Sequence, residues 1–299
     1  MAKPGYRTFP VSVGTVDRLS ASFVRVTFTS DELADIGWDG PDQRIKVVLP
    51  VSGSGVDAFP SGDDWYGQWR RLPDDERNPI RTYTIRRADR AARELVVDFV
   101  SHGVTGPASR WIANADVGDE LLVIAPDATS GGDAGGYEWS PGRATTLLLA
   151  GDETATPAVS AIVESLPLDA RGAVFLEVPC ADDVLTLRTP PGVSLTWLPR
   201  DRAGSPPYGE ALAAAVRAWA AEWFAGQSGR VVADEALTEP DDDVLWEIPG
   251  PPADEGLYAW LAGEAGAITA LRRYLVRDLG MDRSRVAFMG YWKLGRAEN

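Results

Sequence analysis

The sequence has little of the residues on which many catalytic and metal sites depend. It contains one cysteine, Cys180, and one histidine, His102, in 299 residues. A single thiol excludes an internal disulfide and any cysteine-rich zinc or iron–sulfur site. One imidazole is too few for a typical catalytic zinc or a two-His iron centre, so no resident metal is expected. No segment reaches the ~18 consecutive apolar residues of a membrane span, and the opening MAKPGYRTFP lacks an apolar run. A soluble, cytoplasmic chain with no membrane partner is expected. Lysine is scarce as well: Lys3, Lys46 and Lys293 are the only three among 29 basic residues.

The composition that remains is that of a globular protein, 44% hydrophobic and 24% charged. A length of 299 residues, at about 100–200 residues per domain, points to two domains. The net charge of −15 argues against nucleic acid as a partner, because an anionic surface repels phosphate backbones. That charge is uneven. Between Val231 and Leu271 there is no Lys or Arg, whereas basic residues dominate from Arg272 to Arg296.

The first half reads as β structure. Thr8–Val16, Ser22–Thr29, Arg44–Pro50, Arg81–Arg87, Glu94–Val100 and Leu121–Ala125 are short runs rich in Val, Thr and Phe between turn residues. Six such strands predict a small antiparallel β-barrel. Val51–Pro79, rich in Gly, Pro, Asp and Trp, reads as a long surface insertion. The Gly-rich stretch Pro126–Gly142 reads as a linker. Domains over 1–135 and 143–299 follow.

Beyond the linker the pattern alternates between strand and helix. Thr145–Ala150 is a continuous apolar strand of the kind that a sheet covered on both faces requires. Strands at Ala173–Val178, Ser194–Leu198, Leu257–Ala262 and Arg285–Tyr291 alternate with helices near Pro157–Leu166, Tyr208–Phe224 and Ala267–Asp278. This predicts an α/β domain with a mostly parallel sheet, in which the acidic stretch Glu239–Glu255 is a loop.

Four clusters can carry chemistry. Arg81-Thr82-Tyr83-Thr84 sets a guanidinium, an aromatic ring and hydroxyls on one strand, a set suited to a planar anionic ligand, although an ordinary alternating strand looks the same. Val100-Ser101-His102-Gly103 runs on to Gly106-Pro107-Ala108-Ser109, where glycine lets a backbone approach a ligand; a plain turn and helix cap is the other reading. Gly151–Pro157 is a strand–turn–helix at the edge of the parallel sheet, with Thr156 a candidate cap and Pro157 at the first helical position. Trp260–Glu264 and Gly290–Arg296 combine aromatic rings, Lys293 and Arg296 near strand ends.

The order and spacing of these stretches resemble the siderophore-interacting protein family. The stretches that carry the resemblance are DQRIKVVLP (Asp42–Pro50), RTYTIR (Arg81–Arg86), DFVSHGVTGPASRW (Asp98–Trp111), LLLAGDETATPAV (Leu147–Val159), WLAGE (Trp260–Glu264) and GYWKLG (Gly290–Gly295). They cover nearly the whole chain. The resemblance implies an N-terminal flavin-binding barrel, a C-terminal α/β domain like the NAD(P)-binding domains of ferredoxin reductases, and reduction of ferric siderophores. It implies that Arg81, Thr82, Tyr83, Thr84, Val100, His102, Gly103, Gly106, Pro107, Ala108 and Ser109 hold FAD, joined by Thr154 and Ala155 from the second domain. Ala262, Gly263 and Glu264 then lie on the nicotinamide side. Lys46, Lys293 and Arg296 are expected to line an open basic cleft for the siderophore.

NADPH or NADH is the expected electron donor, with ferredoxin the alternative, and a monomer is expected. Two other functions share this fold: a general flavin or quinone reductase, and a flavin- or siderophore-binding protein without turnover.

Overall fold

The computed structural model describes residues 5–51, 55–62, 64–101, 106–202, 204–226, 246–247 and 249–295. The chain divides into two compact units, Met1–Tyr137 and Glu138–Asn299.

The first unit is built on β1 (Tyr6–Arg18), β2 (Phe23–Thr29), β3 (Arg44–Val48), helix α1 (Trp65–Arg71), β4 (Ile80–Thr84), β5 (Arg87–Asp89), β6 (Glu94–Val100), helix α2 (Pro107–Ile112) and β7 (Glu120–Pro126). All strand pairs are antiparallel, in the order β4-β3-β7-β1-β2-β6-β5. Period-2 alternation turns Phe9, Val11 and Val13, Val24, Val26 and Phe28, and Leu121 and Val123 onto one buried face. Seven strands stand where the sequence suggests six, because Arg81–Arg87 is interrupted. Ile85 donates its N–H to the Gln43 carbonyl at 2.8 Å, and Arg86 turns to the Val96 carbonyl at 2.9 Å. These two residues join the two edge strands of the sheet, which is therefore curled.

The insertion between β3 and β4 is not a bare loop. Its helix α1 lies over the outer face of the sheet, where Trp65 and Trp69 pack with Val48, Phe59 and Ile124. The Gly-rich stretch after β7 is also tied down. Gln43 Nε2 donates to the carbonyls of Gly135 at 2.9 Å and Gly136 at 3.2 Å, and the Tyr6 hydroxyl donates to Gly135 at 3.1 Å.

The second unit contains β8 (Thr146–Gly151), helix α3 (Thr156–Ser165), β9 (Arg171–Val178), β10 (Gly192–Pro199), helix α4 (Glu210–Gly226), β11 (Trp246–Glu247), β12 (Leu257–Glu264), helix α5 (Ala265–Arg273) and β13 (Val286–Trp292). The sheet order is β10-β9-β8-β12-β13-β11. The first five of these strands run parallel, and β11 pairs antiparallel with β13. A short strand thus falls within the stretch read as an acidic loop; residues 239–245 of that stretch lie outside the described residues. Leu147 and Leu149 pack with α3, and Leu148 and Ala150 with α4 and α5, so the apolar run of β8 is buried on both faces. The order reverses between β8 and β12. In doubly wound sheets, ligands bind beyond the strand C-termini at such a reversal. Among the described residues, no helix is long and apolar enough to cross a membrane.

Candidate functional site

Strand β4 carries the first cluster. Alternation sends Arg81 and Tyr83 to one side and Thr82 and Thr84 to the other. Tyr83 is half-buried, with its ring centroid 4.3 Å from that of Phe99; Phe99 in turn lies 5.3 Å from Trp111 of α2. Phe99 is thus the packing link between the Arg81–Thr84 strand and the helix that carries Ala108 and Ser109. Thr84 is buried. Val100 closes β6, whose register near this end is fixed by Asp98. That buried carboxylate accepts from Arg25 at 2.7 and 2.8 Å and pairs with Arg86 at 3.5 Å.

Gly106 precedes Pro107, the first residue of α2, in an extended conformation with φ −113°. A Cβ built there meets no atom within 4 Å among the described residues, so on that side the backbone is open to an approaching group. A half-buried ring, a guanidinium on the same strand and an open glycine backbone fit a flavin nucleotide. His102 and Gly103 lie outside the described residues. Lys46 is exposed on β3, and its Nζ donates to Thr82 Oγ1 at 2.6 Å.

In the second unit the C-terminal ends of β8 and β12 converge on Asp152. Its Oδ1 accepts from the Thr154 N–H at 2.8 Å and from the Thr154 hydroxyl. Its Oδ2 accepts from the Glu264 N–H at 2.7 Å and the Trp292 indole N–H at 2.9 Å. Thr156 is therefore not the cap. It sits inside α3 with its hydroxyl donating to the Asp152 carbonyl at 3.1 Å, because the Asp152 carboxylate already organises the turn. Ala155 is fully buried. Glu264 caps α5 through the Ala267 N–H at 2.8 Å, and its other oxygen accepts from the Leu294 N–H at 3.2 Å. Lys293, exposed, is held between two anchored neighbours. Gly263 has φ +142°, and a Cβ there meets Asp152 Oδ2 at 2.4 Å. Arg296 lies outside the described residues.

Beside Asp152 stands a group that sequence reasoning missed. Glu153 and Arg200 form a bidentate pair at 2.8 Å in each arm, and the Tyr208 ring lies 4.3 Å from the Arg200 guanidinium. Burial disfavours the Arg200 charge, but the Glu153 carboxylate more than offsets this and holds the guanidinium above its ordinary range. Burial, with the Asp152 and Glu153 carboxylates, pushes the Tyr208 phenol well up. Glu177 caps α4 through the N–H groups of Gly209 and Leu212 at 2.9 and 3.0 Å. The only signal in the sequence is the pair Asp152-Glu153 directly after an apolar strand.

Residues 12–130 match the siderophore-interacting FAD-binding domain, and residues 144–295 match the siderophore-interacting protein family. The ferric vibriobactin reductase ViuB of Vibrio cholerae is 30% identical over 281 residues, covering 94% of this chain and 87% of its own length. Among solved structures, the siderophore-interacting protein SipS from Aeromonas hydrophila superposes with a TM-score of 0.68 at 30% identity, over 98% of this chain and 94% of that one. The ferredoxin reductase in carbazole 1,9a-dioxygenase shares the fold at 16% identity, with a TM-score of 0.57 over 96% of this chain and 70% of its own.

Proposed function

Because the chain belongs to the siderophore-interacting protein family, we propose that it is an FAD-dependent ferric-siderophore reductase. The observation that carries this reading is the Arg81–Thr84 strand packed through Phe99 against α2, within the stretch matched as an FAD-binding domain. Counting β4 and β5 as one bent strand makes the curled sheet a six-stranded flavin barrel.

Siderophores offer hard oxygen donors that hold Fe(III) far more tightly than Fe(II), so one-electron reduction of the substrate iron releases it. When bound, FAD accepts a hydride and delivers electrons singly. The rest of the task is holding and orienting. Tyr83 offers a ring face to the flavin, Arg81 a bidentate partner for phosphate, and Thr82 and Thr84 hydroxyls. Val100, His102, Gly103, Gly106, Pro107, Ala108 and Ser109 lie along the pyrophosphate and adenosine side. By the resemblance Thr154 serves the flavin, and Gly263 and Glu264 the nicotinamide; Ala155, fully buried, packs in the core of the second unit behind Thr154. NADPH or NADH is the donor in this reading, because an acidic ferredoxin is repelled by a chain of net charge −15. Lys46, Lys293 and Arg296 attract the anionic ferric complex. No proton-transfer group is needed, which suits a sequence so poor in His and Cys.

The test is anaerobic. The purified yellow protein is mixed in turn with NADH, NADPH and reduced ferredoxin, and then with ferric catecholate and ferric hydroxamate complexes in the presence of an Fe(II) chelator. Flavin bleaching by a nicotinamide, followed by reoxidation and Fe(II) capture, supports the reading. A flavin that none of the three donors reduces refutes it. Lys46→Ala/Lys293→Ala is expected to slow turnover at low substrate and leave flavin reduction unchanged.

A further inference from the structure

Strand β8, helix α3 and strand β9 form a parallel crossover unit, and β10 extends the sheet beyond β9. Where such a unit takes a dinucleotide, the adenosine ribose lies by the end of the second strand. A carboxylate there accepts from the 2′-hydroxyl of NAD, or an arginine close by receives the 2′-phosphate of NADP. The charges at the C-terminal ends of these three strands therefore bear on which nucleotide the second unit takes. In sequence, the connections that leave these ends hold three basic residues, Arg188, Arg200 and Arg202.

Two of the three are engaged by the protein itself. Arg188 Nη2 donates at 3.1 Å to the carbonyl of Glu164, in the last turn of α3 and so toward the other end of the sheet. Both arms of the Arg200 guanidinium are taken by Glu153 at 2.8 Å, one arm lies 3.4 Å from Glu177, and the Tyr208 ring lies 4.3 Å away. A bidentate fork is also how a guanidinium grips a phosphate, so the Glu153 carboxylate stands where that anion would be. Glu153 and Glu177 are buried, and parting either from Arg200 strands a charge away from water. Next to Arg200, Asp201 accepts from the Ala181 N–H at 3.1 Å and joins the connection after β10 to the one after β9. Asp182, Asp201 and Arg202 are exposed there.

We propose that the second unit takes NADH and turns NADPH away, because Glu153 occupies the guanidinium of Arg200. A 2′-phosphate arriving at these strand ends finds that arginine already neutralised. Asp182 and Asp201 outnumber Arg202 among the exposed charges beside it, so the phosphate is repelled. A plain 2′-hydroxyl carries no charge and is not. The inference rests on the reading of the chain as a reductase fed by a nicotinamide nucleotide, and it narrows that donor to NADH.

Binding is separable from reduction by titrating the full chain, loaded with oxidised FAD, with NAD⁺ and NADP⁺ in a calorimeter, since no hydride passes between oxidised partners. NAD⁺ is expected to bind about ten-fold more tightly than NADP⁺ at low ionic strength, and the difference shrinks as salt screens the repulsion. Glu153→Gln keeps the shape of the pair and frees the charge of Arg200, so NADP⁺ is expected to gain about five-fold on NAD⁺. Arg200→Met/Glu153→Gln loses that gain. Asp201→Arg adds a cation at an exposed position without opening the buried pair, and is expected to favour NADP⁺ in the same direction. NADP⁺ binding as tightly as NAD⁺ to the parent overturns the inference, as does a difference that neither Glu153→Gln nor Asp201→Arg reduces. Arg202→Ala that weakens NADP⁺ alone also overturns it, because Arg202 then holds the phosphate. If neither nucleotide binds, the inference falls, and the reductase reading stands on bleaching of the flavin by reduced ferredoxin. Selective NAD⁺ binding by a protein whose flavin no donor reduces does the reverse.

Discussion

The Trp292 indole donates to Asp152 Oδ2 at 2.9 Å, tying the end of the last strand to the turn after the first strand of the parallel sheet. The same oxygen holds the Glu264 N–H, and Glu264 in turn accepts from the Leu294 N–H. Lys293 therefore stands between two residues whose positions two carboxylates set. Its backbone gains a defined place although its own side chain is exposed.

Asp152→Ala removes a buried acceptor that serves donors from Thr154, Glu264 and Trp292. We expect a loss of about 2–3 kcal/mol in urea unfolding, the cost of leaving several half-buried donors unpaired. If Lys293 meets the substrate, a milder variant such as Asp152→Asn raises KM for a ferric catecholate while kcat stays close to that of the parent. Steady-state kinetics separate the two.

Arg200 lies between two buried carboxylates, Glu153 at 2.8 Å and Glu177 at 3.4 Å. Arg200→Met leaves Glu153 without its charge partner and is expected to cost about 3–5 kcal/mol. The double variant Arg200→Met/Glu153→Gln removes both charges and recovers most of that loss. A double-mutant cycle by chemical denaturation measures it.

Much of the fold was legible because hydrophobic period alone specifies it. Phe9, Val11 and Val13 alternate as a strand with one buried face, and Leu147–Ala150 is continuous as a strand covered on both. The break at Ile85–Arg86 was not legible, because it depends on partners from β3 and β6 far away in sequence. Helix α1 was hidden by its composition. Seven residues rich in Trp and Arg shortly before Pro73 read as a loop, and it is the packing of half-buried Trp65 and Trp69 against Val48 and Ile124 that accompanies the helix. In the candidate site the RTYT strand was visible as residue types in order. The Arg200–Glu153–Tyr208 group was not, since its members come from three separate elements and only the folded sheet brings them together.

Tyr208 gives the second unit an alkaline limit. Its phenol is pushed up in the folded state by burial and by the Asp152 and Glu153 carboxylates. The unfolded phenol ionises near about 10. Below that value both states hold the proton and its contribution to stability is complete. Above it the unfolded state alone sheds the proton, so stability falls as pH rises. Thermal unfolding of the parent is expected to drop more steeply between about pH 9 and 11 than that of Tyr208→Phe, which has no proton to lose. Parallel slopes for the two proteins refute this.

Gly263 and Gly106 give opposite results on substitution with alanine, for reasons visible in their surroundings. At Gly263, φ is +142° and the added Cβ falls 2.4 Å from Asp152 Oδ2, an oxygen already fixed by two N–H donors. Neither the backbone nor the carboxylate can yield cheaply. Gly263→Ala is expected to destabilise the chain by about 2 kcal/mol or more and to release Trp292, seen as a red shift in tryptophan emission. At Gly106 the φ of −113° suits any residue, and the added methyl meets nothing among the described residues. Gly106→Ala should leave stability within about 0.5 kcal/mol. If the open backbone there receives the FAD pyrophosphate, the methyl occupies the approach instead, and FAD affinity falls while the unfolding curve stays in place. Equal FAD affinity in Gly106→Ala and the parent removes that residue from the cofactor site.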